Sequence, residues 1–464
     1  MPPARRPRAS SRAAPSSSAA AAGPRGGRGW LSTLRRDPAT RPRRADDDGT
    51  PLTDELLLTI FAGVPDLTDL VRCAATCRRW RRLVSAEAAF LCRTPRRPPR
   101  RFITPLALGF FHRRDDAEAA AAPRFGATAF ARHRFPGLLQ QLQPPSLSTL
   151  FDDGLFDGSS HIVASRNGLL VVDLRRGKHD RALKLCVCNP MAGVVHVLPP
   201  LGGKDGLGHY ACTALTADDR DEESVDPPRS SSYFRVVILY SRRGFTAFHS
   251  YSSDDGRWSE EGKVTSARLG KKQMGLTDSG VVGRGGRLVY WLAKNVVFVL
   301  PLETLQSTLG SMPWSGNGRN FDMANTLLGL SLEGRLCAIQ FGRLSPRTAN
   351  WSISIRIISC TDHSWLDVAT EELIQVKQSL PVDVTSVRLQ WFCEKSGVVF
   401  FSAVAGDHDQ RRYEMYALNL KTKVVEKLVA HDRDGDSWGQ VHGYEMDQVA
   451  YRASLAEPEG TEDI

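Results

Sequence analysis

Between residues 160 and 452 the sequence alternates short apolar runs with turn-forming residues, and this pattern limits the possible folds more than any other feature. The runs are four to seven residues long and rich in β-branched and aromatic side chains, which predicts strands and not helices. Gly, Asp and Ser residues separate them, as expected for turns. The predicted strands are 169–172, 183–187, 194–198, 234–240, 245–251, 288–292, 296–300, 327–332, 336–341, 353–358, 398–404, 414–418 and 424–429.

A weak internal repeat accompanies these strands. Asn189 and Asn419 occupy the same place in two similar segments, 188–198 and 418–428, and a partial copy begins at Leu300. A second recurring element is a turn followed by Trp, at Trp258 and Trp365. Each unit is typical of one strand, a tight turn and the next strand of a blade. Many short strands over about 290 residues predict a β-propeller of roughly six or seven blades. A pair of β-sandwiches or an irregular β fold is the alternative.

Residues 51–92 carry a helical pattern instead. Thr53 is suited to cap a first helix, because its hydroxyl can accept a hydrogen bond from a free backbone N–H group, and Pro65 follows its end. Apolar residues at helical spacing predict two further helices over 67–76 and 77–85. Three helices in about 40 residues make too small a core for a stable independent unit. We therefore expect this unit to pack on the rest of the chain or to keep an apolar face for a partner.

The positive charge of the chain lies in its N-terminal segment. The formal net charge is +10, and residues 1–45 hold eleven Arg, no Lys and one acidic residue, Asp37. Basic and acidic residues are therefore equal in number over 46–464, and the excess does not predict a nucleic-acid-binding face on the main domain. The segment 1–48 has almost no large apolar side chain, which predicts disorder. A nuclear signal near 41–44 and an organelle transit peptide are alternatives.

Cysteine usage and hydropathy indicate the compartment. The nine Cys are odd in number, and no apolar signal segment follows Met1, which favours free thiols in a reducing environment. We expect the nucleus and/or the cytoplasm. No apolar run approaches the roughly 18–20 residues that span a bilayer, so no membrane association is expected.

The sequence contains no strong signature of metal binding or catalysis. Cys186 and Cys188 would share one face of a strand, but a zinc site needs four ligands and no second pair appears. The phosphate-binding, serine-hydrolase and zinc-protease motifs are missing. We therefore expect no metal, no cofactor and no enzymatic activity.

The helical segment resembles the F-box. The resemblance runs from Leu52-Thr53-Asp54-Glu55-Leu56 through Cys77-Arg78-Arg79-Trp80-Arg81 to Phe90, with Thr53 where the family usually has Pro. The β region is similar to the F-box-associated domains of large plant F-box families, on the phrases Ser165-Arg166-Asn167-Gly168 and Cys188-Asn189-Pro190. Together these imply a multi-domain α+β chain, with a small three-helix F-box followed by a mainly-β, propeller-like domain.

The resemblance and the composition together give the predicted domain limits. These are a disordered Arg/Ala/Ser/Pro-rich tail at 1–48, the F-box at 49–92, a linker and the start of the β domain at 93–159, the propeller-like substrate-binding domain at 160–452, and an acidic tail at 453–464.

The resemblance also implies a function. F-box proteins are non-catalytic subunits of SCF-type (Skp–cullin–F-box) ubiquitin ligases, so the F-box would bind a Skp-type adaptor and, through it, a cullin. The β domain would bind an unknown target protein. Alternatives are an F-box scaffold outside a ligase, a β-propeller enzyme and a nucleic-acid binder.

By position in this family, eight residues are candidates for the adaptor-binding surface, and some of them could instead belong to the internal core: Leu52, Leu56, Ile60, Pro65, Leu70, Val71, Cys77 and Trp80. Four others are expected to hold the helices together: Leu57, Phe61, Ala74 and Leu83. The third helix should turn four arginines to solvent: Arg78, Arg79, Arg81 and Arg82. In the β domain, Trp314 is the candidate for target recognition, because it lies in a Pro- and Gly-containing loop.

Overall fold

The structure is a computed structural model. It describes residues 25–26, 51–64, 67–92, 102–114, 122–135, 146–151, 154–176, 181–202, 208–219, 232–275, 279–294, 296–312, 320–343, 351–361, 364–376, 379–406, 411–431 and 438–455.

The predicted helical unit is confirmed and contains four helices. They are α1 (Asp54–Ala62), α2 (Leu67–Thr76), α3 (Arg78–Ala86) and the single turn α4 (Ala88–Leu91). Thr53 caps α1, because its Oγ1 accepts a hydrogen bond from the Leu56 N–H at 3.4 Å. The four residues that were expected inside are buried, in a core of Leu57, Phe61, Leu70, Ala74, Leu83, Val84 and Leu91.

The expected outward position of the α3 arginines is wrong for Arg79. Its Nε donates to Asp54 Oδ1 at 2.9 Å, and its Nη2 donates to the Leu52 carbonyl at 2.6 Å. The side chain is only 14 % exposed as a result. It therefore ties the start of α1 to α3. Arg81 is half-buried, with its Nε donating to the Ala74 carbonyl at 3.4 Å, while Arg78 and Arg82 are exposed as predicted.

Beyond this unit, the described residues form six sheets, which are the blades of a β-propeller. From the inner strand outward, blade 1 has β4 (His161–Arg166), β5 (Leu169–Asp173), β6 (Leu185–Asn189) and β7 (Val194–Val197), with the short β1 (Arg25–Gly26) at its edge. Blade 2 has β8 (Tyr210–Thr216), β9 (Phe234–Ser241), β10 (Thr246–Ser252), β11 (Arg257–Trp258) and β12 (Gly262–Val264). Blade 3 has β13 (Val281–Val282), β14 (Leu288–Ala293), β15 (Val296–Pro301) and β16 (Thr308–Ser311).

The other three blades complete the ring. Blade 4 has β17 (Asn320–Leu330), β18 (Leu336–Arg343), β19 (Trp351–Thr361) and β20 (Ser364–Gln375). Blade 5 has β21 (Val384–Cys393), β22 (Val398–Ala405), β23 (Arg412–Asn419) and β24 (Val425–His431). Blade 6 combines β25 (Trp438–Glu445) with β2 (Ala107–Arg114) and β3 (Arg124–Ala127). Short helices α5 (Ala129–Arg134), α6 (Leu147–Leu150) and α7 (Lys271–Met274) lie in the connections.

The ring closes because strands from distant parts of the chain share blade 6. β25 pairs antiparallel with β2, with Phe110 opposite Gly443. The inner strands then contact one another in the order β25, β4, β8, β13, β17, β21 and back to β25. The structure thus has six blades, which excludes the sandwich alternative, and it places part of the predicted linker segment 93–159 in the sixth blade.

Buried polar side chains of the inner strands join neighbouring blades. Ser165 Oγ donates to the Gly443 carbonyl at 2.6 Å, and Thr213 Oγ1 donates to the Gly280 carbonyl at 2.6 Å. Asn325 Nδ2 donates to Val387 in the next blade at 2.8 Å. Because a buried polar group is costly unless it is hydrogen-bonded, these contacts specify how adjacent blades sit together.

The sequence repeat is the turn between the two outer strands of a blade. The Asn189 side-chain oxygen accepts from the Met191 N–H at 3.0 Å, and the Asn419 oxygen accepts from the Lys421 N–H at 2.9 Å. Such a side-chain bond to the backbone two residues later stabilises a tight turn. Four positions after each Asn the backbone enters the left-handed region, at Gly193 (φ 68°) and at Lys423 (φ 62°). Both copies therefore form the same turn, in blades 1 and 5.

A C-terminal helix attaches the helical unit to the propeller. This helix, α8 (Gln448–Ala453), directly follows β25 and packs on α3 and α4. Ser85 Oγ donates to the Ala453 carbonyl at 2.7 Å, and Leu455 contacts the cores of both units. On the other side, Leu67 of α2 is buried in the core cluster of the propeller. The helical unit is therefore fixed on the propeller face where the inner strands end.

The disorder prediction for 1–48 lies outside the described residues, except for β1. The acidic tail also lies outside them beyond residue 455.

Replacing Phe111 by Ala should destabilise the whole propeller by about 3–5 kcal/mol, which is typical for removal of a buried aromatic ring. Phe111 is fully buried in blade 6, with its ring 4.9 Å from Phe125 and 5.7 Å from Tyr444. Urea unfolding of the intact chain measures the change. The control is Val382→Ala, whose side chain is 99 % exposed and should change stability by less than about 0.5 kcal/mol. Equal effects of both variants would contradict this role of blade 6.

Candidate functional site

The first candidate surface is the outer side of α1. Leu56 and Ile60 lie one helical turn apart, and each is 52 % exposed. The half-buried Leu52 continues this row four residues earlier. Apolar side chains that are adjacent and solvent-exposed are typical of protein interaction sites. The row Leu52, Leu56 and Ile60 is therefore the part of the predicted adaptor surface that the structure brings together and leaves accessible.

The other predicted adaptor-binding residues have internal contacts. Leu70 is fully buried in the helical core, and Val71 packs against the propeller core. Cys77 caps α3, with its sulfur accepting from the Trp80 N–H at 3.4 Å. The Trp80 ring packs edge-on against Phe61 with a centroid distance of 5.2 Å. This packing accounts for the apolar character of these four residues, and their adaptor contacts stay a prediction. Pro65 lies outside the described residues.

The second candidate surface is a cavity of about 470 Å³ in the central channel of the propeller. The inner strands of the blades line it. Its walls are mainly polar, and include the exposed side chains of Arg388 and Gln440. The volume is in the range of small-molecule and side-chain pockets.

A network of ion pairs crosses the end of this channel where the inner strands terminate. Arg166, at the end of β4, pairs with Asp219, and its second nitrogen lies 3.8 Å from Glu394. Lys395 Nζ lies 2.5 Å from Asp218 Oδ2. Asp218 follows the inner strand of blade 2, and Lys395 follows that of blade 5, on the opposite side of the six-blade ring. These bonds therefore brace the ring across its axis.

Burial shifts two carboxyl groups beside this network, Glu394 and Glu445, toward their neutral forms, whereas the pKa of Asp218 is lowered because Lys395 outweighs its burial. Desolvation, together with repulsion from Glu445 and Asp219, raises the pKa of Glu394 to about 7, although Arg166 opposes the shift. One carboxyl oxygen of Glu394, Oε1, is buried and has no hydrogen-bond partner among the described residues. Burial also raises the pKa of Glu445, although Lys395 and the Ser396 N–H at 3.1 Å favour its charged form.

The wall next to this network is aromatic. The rings of Trp391 and His442 have a centroid distance of 5.1 Å, and both residues line the cavity. Burial lowers the pKa of His442 to about 4, and the neighbouring His161 contributes to the same shift. His442 is therefore neutral at physiological pH.

Sequence reasoning missed this network. Arg166 belongs to the phrase Ser165-Arg166-Asn167-Gly168 that carries the family resemblance, and Glu394 and Lys395 stand shortly before the predicted strand 398–404. The available signal was the placement of charged residues at strand ends. Trp314, the predicted target-binding residue, lies outside the described residues.

The described residues were also searched for other kinds of site. They contain no group of three or more His, Cys, Asp or Glu arranged to hold a metal ion. Cys186 and Cys188 are both buried in blade 1. Among the described helices, none has the length and apolarity needed to cross a membrane.

Replacing Glu394 by Gln should change how stability depends on pH. The folded-state pKa of about 7 exceeds the ordinary 4.5, so the wild type loses stability as pH rises through this interval, whereas Gln does not titrate. The stability difference should therefore move in favour of Glu394→Gln by about 2–3 kcal/mol between pH 5 and pH 8. Urea unfolding at both pH values tests this. Glu303→Gln, on an exposed turn of blade 3, is the control and should show a constant difference. A constant difference for Glu394→Gln as well would contradict the shifted pKa.

Comparison with known proteins assigns both parts of the chain. Residues 54–93 match the model of the F-box-like family, and residues 127–451 match the model described as Domain of unknown function (DUF7595). Comparison with curated proteins gave no match.

Three similar solved structures are distant from this chain. One comes from an analysis of two prolyl endopeptidases, at 14 % identity and a TM-score of 0.27, covering 61 % of this chain and 50 % of that one. An oligogalacturonate lyase in complex with manganese matches at 10 % identity and a TM-score of 0.27, covering 59 % and 67 %. The WD40 domain of SCAP from fission yeast matches at 8 % identity and a TM-score of 0.28, covering 60 % and 66 %. The chain thus spans only half of the first of these proteins, and likenesses this weak carry no functional argument.

The family matches cover most of the described structure, and they agree with its division into a small helical unit and a six-blade propeller. The chain belongs to the family described as Domain of unknown function (DUF7595), and carries an F-box-like domain in front of the family's β-propeller.

Proposed function

We propose that this chain is a substrate-recognition subunit of a Skp–cullin–F-box ubiquitin ligase. The observation that carries the proposal is the exposed pair Leu56 and Ile60 on the first helix of an F-box-like domain. The F-box would bind a Skp-type adaptor and, through it, a cullin, and the propeller would bind a target protein. The nucleus and/or the cytoplasm is the proposed location.

The distribution of apolar side chains in the F-box supports docking of a partner on α1. Most of the large apolar residues of this unit lie in its own core or against the propeller. Leu56 and Ile60 have no such cover, although burying one Leu or Ile side chain contributes about 1.5–3 kcal/mol. A helical partner that packs on this row would gain that free energy.

The attachment of the F-box to the propeller also fits an adaptor. α8 and Leu455 hold the F-box against one face of the propeller through buried contacts, so the two binding units keep a constant spacing. A subunit that only positions a target gains rate from proximity and orientation, and needs no catalytic residues of its own.

Replacing Leu56 and Ile60 together by Asp should abolish adaptor binding, because two charges would have to be buried in an apolar interface. A loss of about 100-fold or more in affinity for a purified Skp-type adaptor is expected, since central interface residues commonly contribute 2 kcal/mol or more each. Calorimetry measures the affinity, and affinity purification with mass spectrometry shows whether a cullin is present. The control is Val424→Asp, which places the same charge at a 60 % exposed apolar residue of the propeller.

Three results are informative. Retention of adaptor and cullin by the Leu56→Asp/Ile60→Asp variant would refute docking through α1. Adaptor without cullin in the wild-type sample would favour a scaffold outside a ligase. Neither protein in the wild-type sample would refute the proposal as a whole. Asp at Leu70 and Val71 is a poor test, because Leu70 is fully buried and the variant should unfold.

A further inference from the structure

The charged residues that line the central cavity differ in how far a ligand can reach them. Arg166, Glu394 and Glu445 lie in or beside the ion-pair network at the F-box end, and they are only 11 %, 17 % and 7 % exposed. Arg388 is the fourth charged residue of the lining, and it is exposed to solvent. A ligand that enters the cavity from the end away from the F-box therefore meets one accessible charge, the guanidinium of Arg388.

The charge of Arg388 is not balanced nearby. Among the described residues, no carboxylate forms an ion pair with Arg388. Glu394 lies six residues further along β21, a separation of roughly 20 Å on an extended strand. Asp173 contacts Tyr210 of the cavity wall, but it already accepts hydrogen bonds from the Tyr210 hydroxyl at 2.7 Å and from Arg175 Nη2 at 2.6 Å. Arg388 therefore makes the open end of the cavity positively charged.

The backbone of β21 is fixed on both sides of Arg388. The register of β21 against β22 shifts once before Arg388 and once after it, and such bulges redirect a side chain and are common beside functional sites. The buried Asn325 of β17 clamps the segment between them. Its Nδ2 donates to the Val387 carbonyl at 2.8 Å, and its Oδ1 accepts from the Leu389 N–H at 2.6 Å. Because the backbone under Arg388 is held in place, less conformational freedom is lost when this residue binds a ligand.

Gln440 of the neighbouring blade stands at about the same level as Arg388. β21 and β25 run in the same direction, because both end at the ion-pair network. Trp391 of β21 packs on Gly443 of β25, where an added Cβ would lie only 2.4 Å from the ring. Arg388 and Gln440 each lie three residues before this contact, and both are exposed and line the cavity. A guanidinium and a side-chain amide are therefore neighbours on the wall at the open end.

We infer that the open end of the central cavity is a binding site for a single carboxylate group, which accepts hydrogen bonds from the Arg388 guanidinium and the Gln440 side-chain amide. A guanidinium presents two parallel N–H groups that match the two oxygens of a carboxylate. One accessible cation balances one negative charge, so a doubly charged anion such as phosphate fits less well. The carboxylate would belong to an Asp or Glu side chain of a target protein or to a free small acid. The first source rests on the proposed function, and the second does not.

Saturation-transfer NMR on the intact chain tests the inference with two probes. Acetate presents a free carboxylate, and the capped tripeptide Ac-Gly-Glu-Gly-NH2 presents a carboxylate on a peptide. The same tripeptide with Gln in place of Glu is the neutral, isosteric control. Titrations should show binding of acetate, of the Glu peptide or of both. The Gln peptide should bind more weakly than the Glu peptide by about tenfold or more, since hydrogen bonds between charged groups are about twice as strong as neutral ones.

Variants then assign the binding to Arg388. Arg388→Gln should weaken binding by about tenfold or more, and Arg388→Lys, which keeps the charge but loses the forked donor pair, should have an intermediate effect. Gln440→Ala removes one neutral donor and should weaken binding by about two- to fivefold. The control is Arg257→Gln, at an exposed position of β11 in blade 2, which should leave binding unchanged. Since Arg388 and Gln440 are exposed, their variants should fold like the wild type, which circular dichroism checks.

Each outcome supports the site or counts against it. Binding of acetate alone indicates a free small acid, binding of the Glu peptide alone indicates a target side chain, and binding of both shows that the carboxylate itself is recognised. No binding of either probe to the folded wild type would overturn the inference, as would equal binding of the Gln peptide or full binding by Arg388→Gln. Because none of these measurements involves the adaptor, their failure is distinguishable from failure of the docking experiment on α1.

Discussion

The pairing of β2 with β25 is the interaction on which the rest of the structure depends. It joins strands that are more than 300 residues apart in sequence and closes the ring of blades. As a result, each inner strand contacts the inner strands of the blades on both sides. The chain then continues from β25 straight into α8, which holds the F-box. One pairing therefore fixes both the circular shape of the propeller and the face on which the F-box lies. The ion-pair network at the end of the channel depends on the same closure, because Glu445, which accepts a hydrogen bond from the Ser396 N–H beside Lys395, is the last residue of β25.

The sequence predicted the outer strands of the blades better than the inner ones. β9, β14, β15 and β22 appear as continuous apolar runs, because sheets of adjacent blades cover both their faces. The pattern does not predict five of the six inner strands, β4, β8, β13, β21 and β25, and it predicts only the last part of β17. Their residues face a polar channel or bridge to the next blade, as His442 and Thr213 do. Polar side chains in these strands interrupt the hydrophobic pattern, and the hydrogen bonds that make them suitable there come from residues far away in sequence.

In the F-box, the sequence located three of the four helices and four core residues, but it did not separate the remaining apolar residues into core and surface. Apolar residues occupy more than one side of these helices, and helical spacing alone does not show which side is covered. Leu56 and Leu70 both stand at helical spacing from other apolar residues, yet Leu70 is fully buried and Leu56 is 52 % exposed. The deciding element is distant: part of the cover comes from the propeller and from Leu455, almost 400 residues downstream. Only the apolar residues that this internal packing leaves uncovered are available to a partner.

The ion-pair network of Arg166, Asp218, Asp219, Glu394 and Lys395 lies between the central channel and the F-box side of the propeller. Buried charges contribute little net stability, since their desolvation offsets much of their attraction, and replacing one partner of such a pair is strongly destabilising. This network is therefore better explained by how it holds opposite blades together across the ring axis than by the stability that it adds. It separates the channel from the F-box side, where the side chains of Arg166, Asp219 and Glu394 are at most 17 % exposed. It also keeps Glu394 Oε1 out of contact with solvent. No residue of α1 lines the central cavity, so Leu56 and Ile60 and the cavity walls are separate surfaces of the molecule.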